Sequence, residues 1–213
     1  KTLLAWYQVI DRNQDATIYL DYFSRMGVGK GLEYRYFFGS DNQGRAEYYH
    51  ITGLSDTPDM YALEWQHGGT LPGNIYLTAD ARYVNDKQFF EDFGEVAEDY
   101  NRDKTLATVI GQRNWQKLNL AGHIRYLKDL EQDNDMTLQQ LPELSAALPG
   151  YRVGGTPLYA GFESYATRFQ SDRAVDGERL YLRPSVAAVF RPGSWLELSP
   201  EIALSQRFYN SDA

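Results

Sequence analysis

The chain has 213 residues, with 21 Lys and Arg against 29 Asp and Glu and a net charge of −8. That balance, with no basic cluster, argues against a nucleic-acid partner, and the lack of cysteine excludes a disulfide framework or thiolate metal site. No apolar run approaches the ~20 residues of a membrane helix, no signal-peptide pattern opens the chain, and 17 Tyr, 10 Phe and 4 Trp accompany a mean hydropathy of −0.54.

Taken in order, about twelve runs of roughly ten residues alternate between apolar and polar side chains. This is the two-residue period of a strand, at the length of a tilted membrane-crossing strand. They lie at 2–11, 15–24, 28–38, 45–53, 60–68, 75–84, 104–114, 117–127, 137–148, 156–170, 178–190 and 195–209. In the second run Ala16, Ile18, Leu20 and Tyr22 oppose Thr17, Tyr19 and Asp21. GVGKG at 27–31 lacks the spacing of a phosphate-cradling loop and is read as a tight hairpin. In the sixth run Ile75, Leu77, Ala79, Ala81 and Tyr83 oppose Tyr76, Thr78, Asp80 and Arg82. Helical periodicity shows only at 89–100, within the acidic segment 85–103, read as a solvated loop with a short amphipathic turn carrying Phe89, Phe90 and Phe93. Its carboxylates suit Ca²⁺ or Mg²⁺, but their spacing matches no EF-hand. In the eighth run Leu118, Leu120, Gly122, Ile124 and Tyr126 oppose Lys117, Asn119, Ala121, His123 and Arg125. The runs at 2–11, 45–53 and 104–114 do not declare their faces.

The polar face carries charge of both signs along the strands: Asp21, Glu33, Arg35, Glu64, Asp80, Arg82, Arg125, Glu143, Glu163, Arg183, Glu197 and Glu201. A soluble antiparallel sandwich would share the alternation. Two features favour a barrel: these charges suit a hydrated, mutually paired lumen, and links of compact and longer, polar character alternate along the chain. The links 54–59, 85–103, 128–136 and 171–177 follow even-numbered strands and would emerge together at the cell surface, an asymmetry of outer-membrane barrels. The expected fold is therefore all-β, an antiparallel up-and-down meander forming part of a transmembrane β-barrel. Residues 1–213 are read as one interior section of its wall, without a second domain. Pro142, Pro184 and Pro200 fall on the apolar, lipid-facing side. In the hairpin around RPGS, a position sum of 384 sets Pro184 opposite Pro200 and a sum of 386 displaces it by one diagonal step. Either register predicts a bulge or bend where N–H groups are missing.

The order of local motifs resembles the barrel region of LptD, the lipopolysaccharide-assembly family also called organic solvent tolerance proteins. The resemblance runs through DATIYLDYFSRMGVGKGLEYRYFF, YALEWQHGGTLPGNIYLTADARYVNDKQFFEDFG, LQQLPELSAAL and GERLYLRPSVAAVFRPGSWLELSPEI. It implies a large barrel in the bacterial outer membrane that inserts lipopolysaccharide into the outer leaflet. It also implies an LptE-like plug lipoprotein in the lumen, contact with outer-membrane lipid, and periplasmic bridge proteins delivering lipopolysaccharide through parts of the chain not present here. The family's disulfide cysteines, periplasmic domain and terminal gate strands have no counterpart in this sequence, so no gate residue is carried over.

An enzyme reading would rest on His50, His67 and His123, which lie on different strands, and neither GxSxG nor HExxH occurs. No catalytic, cofactor-binding or metal residue is assigned, and no cofactor is expected. The function read from the chain is a non-enzymatic section of a lipopolysaccharide translocon. A passive porin or other barrel transporter, and a soluble β-sandwich binding module, are the alternatives.

Overall fold

A computed structural model describes residues 1–39, 41–54, 58–93, 103–131, 137–171 and 176–211. Eleven long strands follow in chain order: β1 (Thr2–Asp11), β2 (Gln14–Phe23), β3 (Gly27–Phe37), β4 (Gln43–Gly53), β5 (Met60–Leu71), β6 (Ile75–Val84), β7 (Lys104–Asn114), β8 (Asn119–Asp129), β9 (Gln139–Arg152), β10 (Leu158–Gln170) and β11 (Gly177–Ala188). Each pairs antiparallel with the next, a meander without crossover. Four short strands follow: β12 (Phe190–Gly193), β13 (Leu196–Leu198), β14 (Glu201–Ala203) and β15 (Gln206–Ser211). The only helix among the described residues, α1 (Gln88–Phe93), sits between β6 and β7; it is far too short to cross a membrane.

Residues paired across an antiparallel ladder share a face, so the registers assign every strand to two faces, including those whose sequence was ambiguous. One row runs Thr17, Glu33, Glu47, Glu64, Arg82 across β2 to β6. The next runs Asp15, Arg35, Arg45, Gln66, Asp80, Thr108, Arg125 across β2 to β8. On the other face a row reads Ile18, Leu32, Tyr48, Leu63, Tyr83. Tyr7, Asp15, Arg35, Arg45, Gln66 and Asp80, from six consecutive strands, line one recess of about 870 Å³, so the sheet curls with its polar face inward.

The apolar face is uncovered. Leu32 is 48 % exposed, Ile124 46 % and Leu144 58 %. No second sheet packs on it, which removes the sandwich arrangement for the described residues. The buried apolar cluster lies instead on the polar side: Ala62, Val84 and Phe90, with Phe89 and Leu130 packed against them.

Three expectations change. GVGKG is strand, not hairpin: the turn occupies 24–26 and β3 begins at Gly27. The hairpin after β11 takes neither expected register, because Ser185 pairs Ala203 and Leu182 pairs Gln206, a sum of 388. Pro184 and Pro200 therefore do not meet; the Pro184 carbonyl accepts from Leu204 N–H at 3.1 Å and the Pro200 carbonyl from Ala188 N–H at 3.0 Å. The expected final strand, 195–209, is broken into β13, β14 and β15, with β14 and β15 flanking a gap in the ladder opposite Pro184. A register shift occurs at the third proline: His123 pairs Glu143 but Arg125 pairs Gln140, so β9 bulges around Pro142. Here the Gln139 side chain patches the ladder, accepting from Leu127 N–H at 2.8 Å and donating to the Leu127 carbonyl at 2.7 Å. The helical reading at 89–100 is met by α1 as far as Phe93; residues 94–102 lie outside those described.

Candidate functional site

The candidate site is the inward, polar face. Of the twelve charged residues singled out in the sequence, eleven share it by register: Asp21, Glu33, Arg35, Glu64, Asp80, Arg82, Arg125, Glu143, Glu163, Arg183 and Glu201. Glu197 does not. It lies in the separate β12–β13 ribbon, where its carboxylate is 2.7 Å from Arg191. Pro184 lies opposite Phe162, on the apolar face of Leu182 and Val186.

The charges are mostly matched across neighbouring strands. Arg35 lies 2.8 Å from Asp15 and 3.5 Å from Glu33. Arg45 bridges Glu33 and Glu47, Arg82 pairs with Glu64, and Arg183 reaches both Glu163 at 3.5 Å and Glu201 at 3.2 Å. Thr167 donates to Glu143 at 2.7 Å, and Tyr19 to Glu33 at 3.0 Å. Each half-exposed pair is worth only about 0–1 kcal/mol. Together they bring acids and bases of neighbouring strands into contact over much of the polar face. Asp15, Tyr19, Arg45, Glu47 and Tyr49 belong to this network but were not singled out in the sequence. For Arg45 and Glu47 the signal was the period of β4, whose phase only the pairing with β3 and β5 resolves.

Glycines shape the same face. Tyr49 of β4 lies across β3 and donates to Asp21 of β2 at 2.5 Å. A Cβ on Gly29 would stand 2.2 Å from the Tyr49 hydroxyl, and one on Gly31 2.6 Å from its ring. The opposite face repeats this arrangement. Tyr36 of β3 passes over Gly44 of β4, where a Cβ would stand 2.3 Å from its hydroxyl, to reach His67 Nδ1 of β5 at 2.7 Å.

α1 folds onto the polar face near the even-link rim. Phe93 meets Phe23 edge-on at 5.2 Å between ring centroids, Phe89 meets Tyr49 at 6.2 Å, and the Arg82 guanidinium lies 5.3 Å from the Phe90 ring centroid. Together with Asp21, Glu47, Glu64 and Asp92, these rings wall a second recess of about 580 Å³. Among the described residues no group of three or more His, Asp or Glu is placed to hold a metal ion. The histidines are dispersed: His50 and His67 stand on the apolar face, and His123 opposite Glu143 on the polar one.

The described residues thus define an all-β protein, a long antiparallel meander with a charged, ion-paired face and a bare apolar one. The chain belongs to the LptD family: the family model described as LPS transport system D matches residues 58–213. It is similar to the LPS-assembly protein LptD of Shewanella sp. (strain MR-4), 27 % identical over 217 residues, covering 96 % of this chain and 27 % of that protein. The LPS-assembly protein LptD of Ralstonia nicotianae is 24 % identical over 218 residues, with 98 % of this chain and 26 % of that protein covered. For the LPS-assembly protein LptD of Chromohalobacter salexigens the values are 26 % over 249 residues, 97 % and 30 %. The chain thus spans between a quarter and a third of the length of these relatives.

Proposed function

We propose that the chain is a section of the wall of an outer-membrane lipopolysaccharide-assembly barrel, with its apolar face in lipid and its charged face lining a hydrated lumen. One observation carries the reading: alternate residues of the same strands form an uncovered apolar surface and an inward, ion-paired polar one. Exposed apolar patches of this extent are not kept in water, whereas hydrocarbon accepts a sheet whose backbone groups are paired. The lumenal ion pairs keep the wall hydrated, so sugar chains of lipopolysaccharide pass beside it without meeting an unbalanced charge. The same face would seat an LptE-like plug lipoprotein, and periplasmic bridge proteins would engage parts of the full protein outside this chain. In this reading the section is non-enzymatic and helps insert lipopolysaccharide into the outer leaflet.

The test is thiol accessibility in the full-length protein in its own outer membrane. Cysteines replacing Leu63 or Leu182 on the apolar face are expected to resist a water-soluble thiol reagent. Those replacing Gln66 or Thr108 on the polar face are expected to react. Equal labelling of both sets removes the wall.

A further inference from the structure

We propose that Arg113 and Lys117, above a glycine-floored trough on the apolar face, form a site for one anionic phospholipid at the rim of the odd-numbered links. This rests on the wall reading, and the experiment below separates the two. In that reading the even links face the cell surface and lipopolysaccharide enters the outer leaflet. The odd-link rim then stands in the opposite leaflet, among glycerophospholipids. Gly111 on β7 is directly opposite Gly122 on β8. Both belong to the apolar face: a Cβ on Gly111 would stand 3.8 Å from Leu77, and one on Gly122 3.5 Å from Leu144. Two missing side chains in register leave a trough bounded by Leu77 of β6 and Leu144 of β9. It lies in line with Leu120 and Ile124 of β8, which are themselves open to the surroundings. An acyl chain laid in this trough stays within hydrocarbon and fills the space that the glycines leave.

Charge stands directly above the trough. Arg113, two residues beyond Gly111, is opposite Leu120 on the same face, one residue before β7 ends. Its guanidinium lies 4.4 Å from the Trp115 ring centroid, and its Nε is closed off from water with no hydrogen-bond partner among the described residues. The β7–β8 turn is closed by Trp115 N–H donating to the Leu118 carbonyl at 2.8 Å, and Lys117 in that turn places its Nζ 4.1 Å from the Tyr151 ring centroid. By the parity of β9, Tyr151 would face the lumen. The bulge between the pairs Leu148–Phe162 and Tyr151–Ala160 turns it onto the apolar face instead. Rings of this kind sit at headgroup level. An aromatic ring orients a cation without cancelling its charge, and among the described residues neither Arg113 nor Lys117 has a carboxylate partner. On the polar face, by contrast, Arg35, Arg45, Arg82 and Arg183 each contact an acid. Two strand spacings, about 10 Å, separate β7 from β9. A phosphate diester seated over the start of β8 therefore lies between the guanidinium and the ammonium, with an acyl chain running down the trough.

The probe is a fluorophore on a sole labelled cysteine, Leu158→Cys, in the full-length protein reconstituted in phosphatidylcholine vesicles. Leu158 opens β10 at the same rim and on the same face, two strands from β8. A cation beside a charged headgroup is worth roughly 1 kcal/mol, about fivefold in partition. Spin-labelled phosphatidylglycerol is therefore expected to quench at about 25-fold lower mole fraction than spin-labelled phosphatidylcholine. Arg113→Gln and Lys117→Gln should each remove about fivefold of that preference, and the double variant should abolish it. Gly122→Val, which fills the trough and leaves both cations in place, should also abolish it. Full preference in Gly122→Val overturns a seated lipid, and full preference in the double variant overturns the role of the two cations. Equal quenching by both lipids in the otherwise unsubstituted protein overturns the site and leaves the wall standing. No quenching by either lipid overturns both. Loss of the preference on adding millimolar inorganic phosphate at constant ionic strength overturns the lipid assignment in favour of a soluble anion.

Discussion

At the scale of single residues the most telling positions have no side chain. Gly29 and Gly31 let the Tyr49 ring cross β3 and reach Asp21. Gly29→Ala is expected to destabilise the protein by about 1–3 kcal/mol through overpacking against the Tyr49 hydroxyl. Tyr49→Ala should make the same glycine substitution nearly neutral, so the double-mutant cycle is strongly non-additive. Additive losses measured by thermal unfolding of the full protein in detergent would show that Tyr49 does not need the gap. The sequence suggested a turn at GVGKG because glycine serves turns and close contacts equally well. What decides between them is an aromatic residue on the following strand, about twenty positions away. The alternation of charge, by contrast, was legible residue by residue, since a two-residue period assigns faces without any knowledge of partners.

At the scale of elements the informative segment is the end of the meander. Every even position sum keeps the same residues on the same face, so the sums 384, 386 and 388 are indistinguishable by pattern. The turn and the prolines selected 388. The longer register carries the chain past the start of β10, and the β12–β13 ribbon stands beyond the sheet with Trp195 82 % exposed at its tip. The hydrogen bond from Arg191 is the main cause that holds the Glu197 carboxyl below its ordinary pKa of 4.5. A carboxyl with a lowered folded-state pKa contributes stability above its ordinary value and loses it as pH falls through the folded one. The ribbon clamp is therefore intact at neutral pH and opens on the acid side of about pH 4.5. Trp195 packs over Gly193, whose Cβ position is 2.9 Å from the indole Nε1, so its emission reports the ribbon. The emission lost in Trp195→Phe is expected to shift only in that acid range, and Glu197→Gln should give the acid spectrum at pH 7. A pH-independent spectrum in both proteins would mean that Arg191 and Glu197 do not hold the ribbon.

At the scale of the molecule, the sheet has an uncovered face and two edges, formed by β1 on one side and by β14 and β15 on the other. Among the described residues β1 pairs only with β2, and β14 and β15 pair only with β11. Leu3, Leu4, Trp6 and Val9 at one edge, and Ile202, Leu204 and Tyr209 at the other, are all more than half exposed. Unpaired strand edges template association with other chains. Expressed alone, residues 1–213 are expected to aggregate, pair with themselves or require detergent; a monodisperse monomer in plain buffer by light scattering would contradict this. The two faces also differ in what they fix. Slipping any strand by two residues returns each side chain to its own face, so hydrophobicity is blind to that error. The two tyrosine spans are not. One ties β4 to β2 across β3 on the inner surface, and the other ties β3 to β5 across β4 on the outer surface. Each fits only where a glycine leaves room beneath it. Like keys cut for opposite sides of one lock, they make the correct register of β2 to β5 cheaper than its nearest lookalike. The assembling sheet thereby gains a checkpoint that amphipathic patterning cannot supply.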